Sequence, residues 1–174
     1  MCQRKPVHIV VMLNSVRRTS SMKVNRGKDF EGQIRCAFEN YRDTSVIRLL
    51  DPQSGYAGVR NICDFIVYHF PNQYFIECKS CYGSSLPFSN ITKNQWQGLL
   101  DVSKINGVYA GYMIWFIDYD KTVYVSANKM EQIRLGDRKS VRFDEPDAFV
   151  ITGHKKRVLF DYDMTEFFMR TLTV

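Results

Sequence analysis

The sequence lacks a long hydrophobic run. Its most apolar central stretch, Val108 to Ile117, falls well short of the roughly 20 residues that a membrane-spanning helix needs, and suits a buried strand instead. Val7 to Leu13 is also apolar and follows Arg4 and Lys5. That run is too short for a signal peptide and no small-residue cleavage site follows it, so a cytoplasmic protein is the expectation. The sequence also lacks a regular cysteine framework. Its five cysteines, Cys2, Cys36, Cys63, Cys78 and Cys81, are odd in number, which argues against a secreted disulfide scaffold. Cys78 and Cys81 form a CxxC, but no second CxxC or HxxxH completes a tetrahedral zinc site. Reduced, partly buried thiols beside a strand are expected.

Acidic residues are missing from the start of the chain. Arg4, Lys5, Arg17, Arg18, Lys23, Arg26 and Lys28 give seven positive charges before the first acid, Asp29. Removing those seven from the 24 basic residues leaves 17, against 18 acidic ones. The net charge of +6 is therefore concentrated in a basic arm on a neutral globule, an arrangement suited to a polyanion such as nucleic acid. A solubilising tail would look the same by charge alone. With 174 residues, 45% of them hydrophobic, the chain can bury one real core. We read residues 1–24 as a basic arm, polar and Ser-rich from Asn14 onwards, and 25–174 as a single domain.

Periodicity places the elements. Phe30, Ile34, Ala37, Phe38 and Tyr41 recur at helical spacing and predict one apolar stripe. Ser45 to Leu50 reads as a strand, and Asp51 to Arg60, with its Pro and two Gly, as a loop. Ile62–Phe70 and Gln73–Cys81 are rich in aromatic and β-branched residues and predict a hairpin across Pro71-Asn72. A helix over Thr92–Lys104 should be capped by Thr92 with Gln95 in a capping box, turning Trp96, Leu99, Leu100 and Ser103 to a sheet. Val108–Asp118 and Thr122–Ser126 predict a second hairpin, Asn128–Leu135 a short helix, and Arg134–Arg142 a basic loop. A strand near Arg157–Asp161 and a helix from Met164 to about Thr171 end the chain. The order predicts an α/β fold with a central mixed β-sheet flanked by helices.

The residues with most chemical content are Asp64 and Glu77-Cys78-Lys79. Residues two apart in a strand share a face, so Glu77 and Lys79 project together while Cys78 points into the core. A hairpin would bring Asp64 up to Glu77. Two carboxylates in one small volume resist joint ionisation unless a cation neutralises them. Hard oxygen ligands suit Mg²⁺ or Mn²⁺, with the Cys78 carbonyl as a further ligand. Such an ion activates water and stabilises charge on a phosphate. Lys79 can orient that water or neutralise the transition state. The same spacing also arises in a plain surface ion pair between Glu77 and Lys79.

Several separated elements resemble one family. Asn25-Arg26-Gly27 and Glu31, then Asp64, Glu77 and Lys79, then Ser85-Leu86-Pro87-Phe88, Asn94-Gln95 and Arg138-Lys139-Ser140-Val141-Arg142 are similar, in order, to the motifs of the RecU family of Holliday junction resolvases. The resemblance runs from about residue 25 to 170. It implies a restriction-endonuclease-like core of the PD-(D/E)xK type and a dimeric, metal-dependent endodeoxyribonuclease acting on four-way DNA junctions in recombination and repair. Asp64 and Glu77 would be metal ligands and Lys79 the catalytic lysine. Glu31 would complete the metal shell, and Gln95 would reach the site from the second core helix. Arg17, Arg18, Arg26, Lys28, Arg60, Arg138, Lys139 and Arg142 would contact DNA, although a solvated surface charge explains each as well.

One departure stands out: the family's long stalk insertion is reduced here to Asp51–Arg60, leaving a stub or relaxed junction selectivity. A C₂ homodimer would match the symmetry of a junction, and Tyr109–Tyr119 and Phe160–Phe168 offer apolar surface for it, as they do for core packing. A recombinase is a further possible partner. The competing readings are a nuclease for other branched or linear DNA, and a non-catalytic junction-binding module.

Overall fold

In the computed structural model, the structure describes residues 25–50, 60–157 and 159–172. The basic arm, including Arg17 and Arg18, and all but the last residue of the loop expected over Asp51–Arg60 lie outside the described residues. A six-stranded mixed sheet organises the rest. In space its order is β1 (Thr44–Arg48), β2 (Phe65–His69), β3 (Asn72–Cys81), β5 (Val108–Phe116), β6 (Lys121–Ser126) and β8 (Phe149–Ile151). Only the central pair β3–β5 is parallel. A parallel pair cannot be closed by a tight turn, and the crossover carries helix α2 (Lys93–Val102).

Alternation along β3 sorts the two layers of core. Tyr74, Ile76 and Cys78 face helices α1 (Arg26–Glu39) and α4 (Thr165–Leu172), where Phe30, Ile34, Phe38, Phe167 and Phe168 are buried with Met113 and Trp115. Phe75 and Cys81 face the other layer, built from Leu99 of α2, Met130 and Ile133 of α3 (Ala127–Leu135), and Tyr112, Ile114 and Phe116. Helix α1 forms because the predicted apolar positions stack on one side, and Asn25 Oδ1 accepts the Lys28 N–H at 3.3 Å as its N-cap. Helix α2 carries the expected capping box between Thr92 and Gln95.

Several expectations change. Ser103 does not face the sheet: it is the C-cap of α2, and its hydroxyl donates to the Leu100 carbonyl at 2.8 Å and lies 3.1 Å from Asn128 Oδ1. The basic loop expected over Arg134–Arg142 begins inside α3, which runs to Leu135, and ends in a strand, because β7 (Ser140–Arg142) pairs with β4 (Ser85–Pro87) and buries Val141 and Leu86 completely. Each three-residue strand holds one buried apolar residue, too little for periodicity to register. The single strand at Arg157–Asp161 is instead a hairpin of β9 (Gly153–Lys156) and β10 (Leu159–Tyr162). Of the aromatic segments offered for an interface, Tyr112, Trp115, Phe116, Phe167 and Phe168 are buried in the core, whereas Tyr119 is 45% exposed.

The closeness of β5 to its neighbour is testable at Gly111. A β-carbon there would lie 2.6 Å from the Val125 carbonyl oxygen and 2.7 Å from the Tyr124 ring. Backbone must move to admit it, so Gly111→Ala is expected to destabilise the fold by roughly 1–3 kcal/mol, as overpacked cores do. A urea midpoint unchanged from wild type would contradict this packing.

Candidate active site

The register of the β2–β3 hairpin decides which polar groups meet. Phe65 pairs with Ile76, and the regular ladder ends there. Asp64, one residue before β2, donates its N–H to the Ile76 carbonyl, and its Oδ2 accepts the Cys78 N–H at 2.7 Å. The carboxylate thus takes over a backbone partner at the point where pairing stops. Glu77, next to Cys78, is 2% exposed, and Lys79 Nζ lies 2.7 Å from Glu77 Oε1. This is not a surface ion pair.

Gln95 reaches the same point from α2. Its Oε1 accepts the Thr92 N–H in the capping box, while its Nε2 donates to Glu77 Oε1 at 2.5 Å. Lys79 Nζ also approaches Gln95 Oε1, at 3.4 Å. One side chain therefore both starts the helix and fastens it to the buried acid. Glu31, on α1, is held differently: Arg48 of β1 donates to it at 2.7 Å. Sequence reasoning missed Arg48, since nothing in the pattern couples positions 31 and 48 before α1 packs on β1.

The electrostatics are those of a site short of positive charge. Burial, then the nearby Asp64 carboxylate, push Glu77 up to about 7, while Lys79 pulls it down. Glu77 Oε2 is buried and has no hydrogen-bond partner. Burial likewise pushes the Cys63 thiol up to about 12 and the Cys78 thiol well above its ordinary range, with the neighbouring acids adding to both. The Cys78 side chain packs in the α1–α4 core layer, which leaves its carbonyl as the group it can offer an ion. Among the described residues, no three His, Cys, Asp or Glu side chains form a ready-made metal cage. Asp64 and Glu77 nevertheless fit a hard divalent ion, because an orphaned, desolvated carboxylate oxygen beside a second carboxylate is a pair of oxygen donors in want of a cation.

The predicted DNA-contacting residues divide. Arg138 forms a bidentate pair with Glu145, whose side chain is 4% exposed, and Arg142 is bound to Asp144. Arg26, Lys28, Arg60 and Lys139 make no ion pair with another described residue, and all but the half-buried Arg26 are exposed. Arg138 is tied to a nearly buried carboxylate and Arg142 to an exposed one, whereas the second group carries no such pair. The described cysteines, Cys36, Cys63, Cys78 and Cys81, are all free, as expected.

Burial of Glu77 has a measurable consequence. Between its ordinary value of 4.5 and about 7 the folded state holds a proton that the unfolded chain has released. Stability of the metal-free protein should therefore fall as pH rises through that window, by on the order of 3 kcal/mol, and level off above it. Glu77→Gln should flatten the slope, and millimolar Mg²⁺ or Mn²⁺ above pH 7 should restore the loss. Urea denaturation at several pH values checks this, and a pH-independent midpoint in the metal-free wild type would refute it.

The family model described as RecU, Recombination protein U, matches residues 53–164, well over half of the 174-residue chain. None of the curated proteins matches the sequence. Among solved structures, the chain is similar to Hjc, a Holliday junction resolvase of the archaeal hyperthermophile Archaeoglobus fulgidus, with a TM-score of 0.44 and 14% identity over 59% of this chain and 78% of that one. Among the described residues no helix is long and apolar enough to cross a membrane. The matched segment contains Asp64, Glu77, Lys79 and Gln95 together with the hairpin and helix that assemble them, and the chain belongs to the RecU, or Recombination protein U, family.

Proposed function

We propose that the protein is a Holliday junction resolvase, a divalent-metal-dependent endonuclease that hydrolyses DNA phosphodiesters at four-way junctions. The observation that carries this reading is the buried, unpartnered Glu77 Oε2, set beside Asp64 and Lys79. Glu77 Oε2, the Asp64 carboxylate and the Cys78 carbonyl are the donors that would hold Mg²⁺ or Mn²⁺, with Glu31 contributing through water. When bound, such an ion supplies Lewis acidity at a phosphate oxygen and makes water a better nucleophile at neutral pH.

The chain's own residues do the positioning. Gln95 fixes Glu77 Oε1 and so aims Oε2 into the site. Lys79 Nζ, 2.7 Å from Glu77 Oε1, exchanges that contact for the scissile phosphate or the attacking water as negative charge develops. Arg26, Lys28, Arg60 and Lys139 contact DNA phosphates, and the arm carrying Arg17 and Arg18 adds to them. Arg138 and Arg142 act chiefly through Glu145 and Asp144, on the fold of the loop that bears Lys139. A C₂ homodimer would present two such sites to opposed strands of a junction, in the cytoplasm and alongside a recombinase.

The test is cleavage of a synthetic four-way junction compared with its linear duplex arms, with and without Mg²⁺ or Mn²⁺. Junction cleavage should be metal-dependent and exceed duplex cleavage by at least about 100-fold, the discrimination that a few kilocalories of selective contact give. Equal cutting of both would establish a nuclease without junction selectivity. Asp64→Ala should lower cleavage by about 1,000-fold or more while junction binding changes little, since the loss falls on the chemical step. Cleavage at the wild-type rate would displace Asp64 from the site.

Phosphate contact also predicts a salt dependence. With about four to six phosphates neutralised, affinity for a junction should fall by about 100-fold or more between 50 and 200 mM salt. An affinity that stays flat over that range would remove the open basic residues from the interface.

A further inference from the structure

Where the start of α2 meets the Phe88–Ile91 segment and the end of α3 lies a groove of about 380 Å³ lined by Phe88, Ile91, Lys93, Trp96, Gln97 and Arg134. Three elements build it independently. Trp96 follows Gln95 on α2. Phe88 is fixed by its N–H donating to the Lys139 carbonyl at 2.9 Å, next to β7. Arg134 comes from α3, where Glu131 grips its guanidinium through two hydrogen bonds and also accepts the Trp96 indole N–H at 2.8 Å. The result is a braced aromatic corner. Phe88 and Trp96 meet at 5.1 Å with their rings 68° apart, and the Arg134 guanidinium lies 5.7 Å from the Trp96 ring. Both aromatics are only half-buried.

Two further facts say what such a corner suits. First, Glu131 is neutralised by Arg134, and Asp101, bonded to Gln97 of the lining, by Lys104, whereas Lys93 at the lining and the adjoining Lys139 make no ion pair with a described residue. The rim is positive. Second, the corner is one side chain away from the acid cluster: Trp96 lies 6.4 Å from the ring of Tyr112, and Tyr112 is the β5 residue paired with Glu77. An apolar, aromatic recess with a cationic rim matches a flat base on an anionic backbone, since every base has a π-face and its flanking phosphates need cations.

We propose that this groove takes one unpaired nucleobase of the DNA substrate, stacked against Trp96 and Phe88, with Lys93 and Lys139 on the flanking phosphates. The inference rests on the nuclease reading and deepens it. It gives the protein a means of gripping a strand that has left the duplex near the point of cleavage. Such a grip favours branched or opened DNA over a closed helix, without the stalk that the sequence shortens.

The test compares two single-stranded oligonucleotides of about twelve nucleotides, oligo-dT and an abasic chain with the same number of phosphates. Binding is read by anisotropy in the absence of divalent metal. Oligo-dT should bind about five- to tenfold more tightly, the effect of one stacked base. It should also quench tryptophan fluorescence where the abasic chain does not. Of the two tryptophans, Trp115 is 2% exposed, so the quenching reports on Trp96. Trp96→Ala should abolish the difference and Trp96→Phe should keep it. Equal affinity of the wild type for both oligonucleotides would overturn the proposal, as would Trp96→Ala weakening both by one factor. Wild-type junction cleavage, measured in parallel with Mg²⁺, separates the two failures. A protein that cuts junctions but ignores bases loses only the stacking site, and one that never cuts loses the nuclease reading.

Discussion

A carboxylate sealed inside a protein has to be matched by something positive or by a proton, and Glu77 is that carboxylate here. The hairpin, the second core helix and the lysine two residues on are all arranged around it. Gln95 cannot cap α2 and reach Glu77 unless that helix begins over β3, and Lys79 cannot meet Glu77 Oε1 unless both lie on one face of a strand. Asp64 adds to the imbalance instead of relieving it. The fold maintains this cost because close packing on both sides of the sheet leaves Glu77 nowhere to turn.

The opposite faces of β3 divide the work. Tyr74, Ile76 and Cys78 anchor the strand to α1 and α4, and that rigid side allows Glu77 and Lys79 to be held in fixed positions on the other. The acids stand at the point where regular β2–β3 pairing gives out. There the Asp64 side chain accepts a backbone N–H that the neighbouring strand would otherwise have taken. An opening at the end of a ladder is where a site can reach solvent without breaking the core.

Charge follows the same logic of commitment. Arg48, Arg138 and Arg142 look from composition like the open residues Arg26, Lys28, Arg60 and Lys139, but each of the first three is occupied by a carboxylate. Glu145 is nearly buried, so Arg138 completes a pair that the loop needs. A count of basic residues therefore overstates the charge available to DNA.

Much was legible in order and spacing: the stripe of α1, the two apolar strands around Pro71, the capping box of Thr92 and Gln95, and Glu77 with Lys79 on one strand face. These are local, and local periodicity or capping chemistry dictates them. The short strands β4, β7, β8 and β9 were not legible, since each carries too few buried positions to set a period. Tertiary structure alone decided that Arg48 takes Glu31, that Arg138 takes Glu145, that the aromatics of β5 are core, and that Trp96 faces a groove beside the acids. Each of those depends on which distant segments pack together. A partner's identity is settled by long-range packing, which spacing along a chain does not encode.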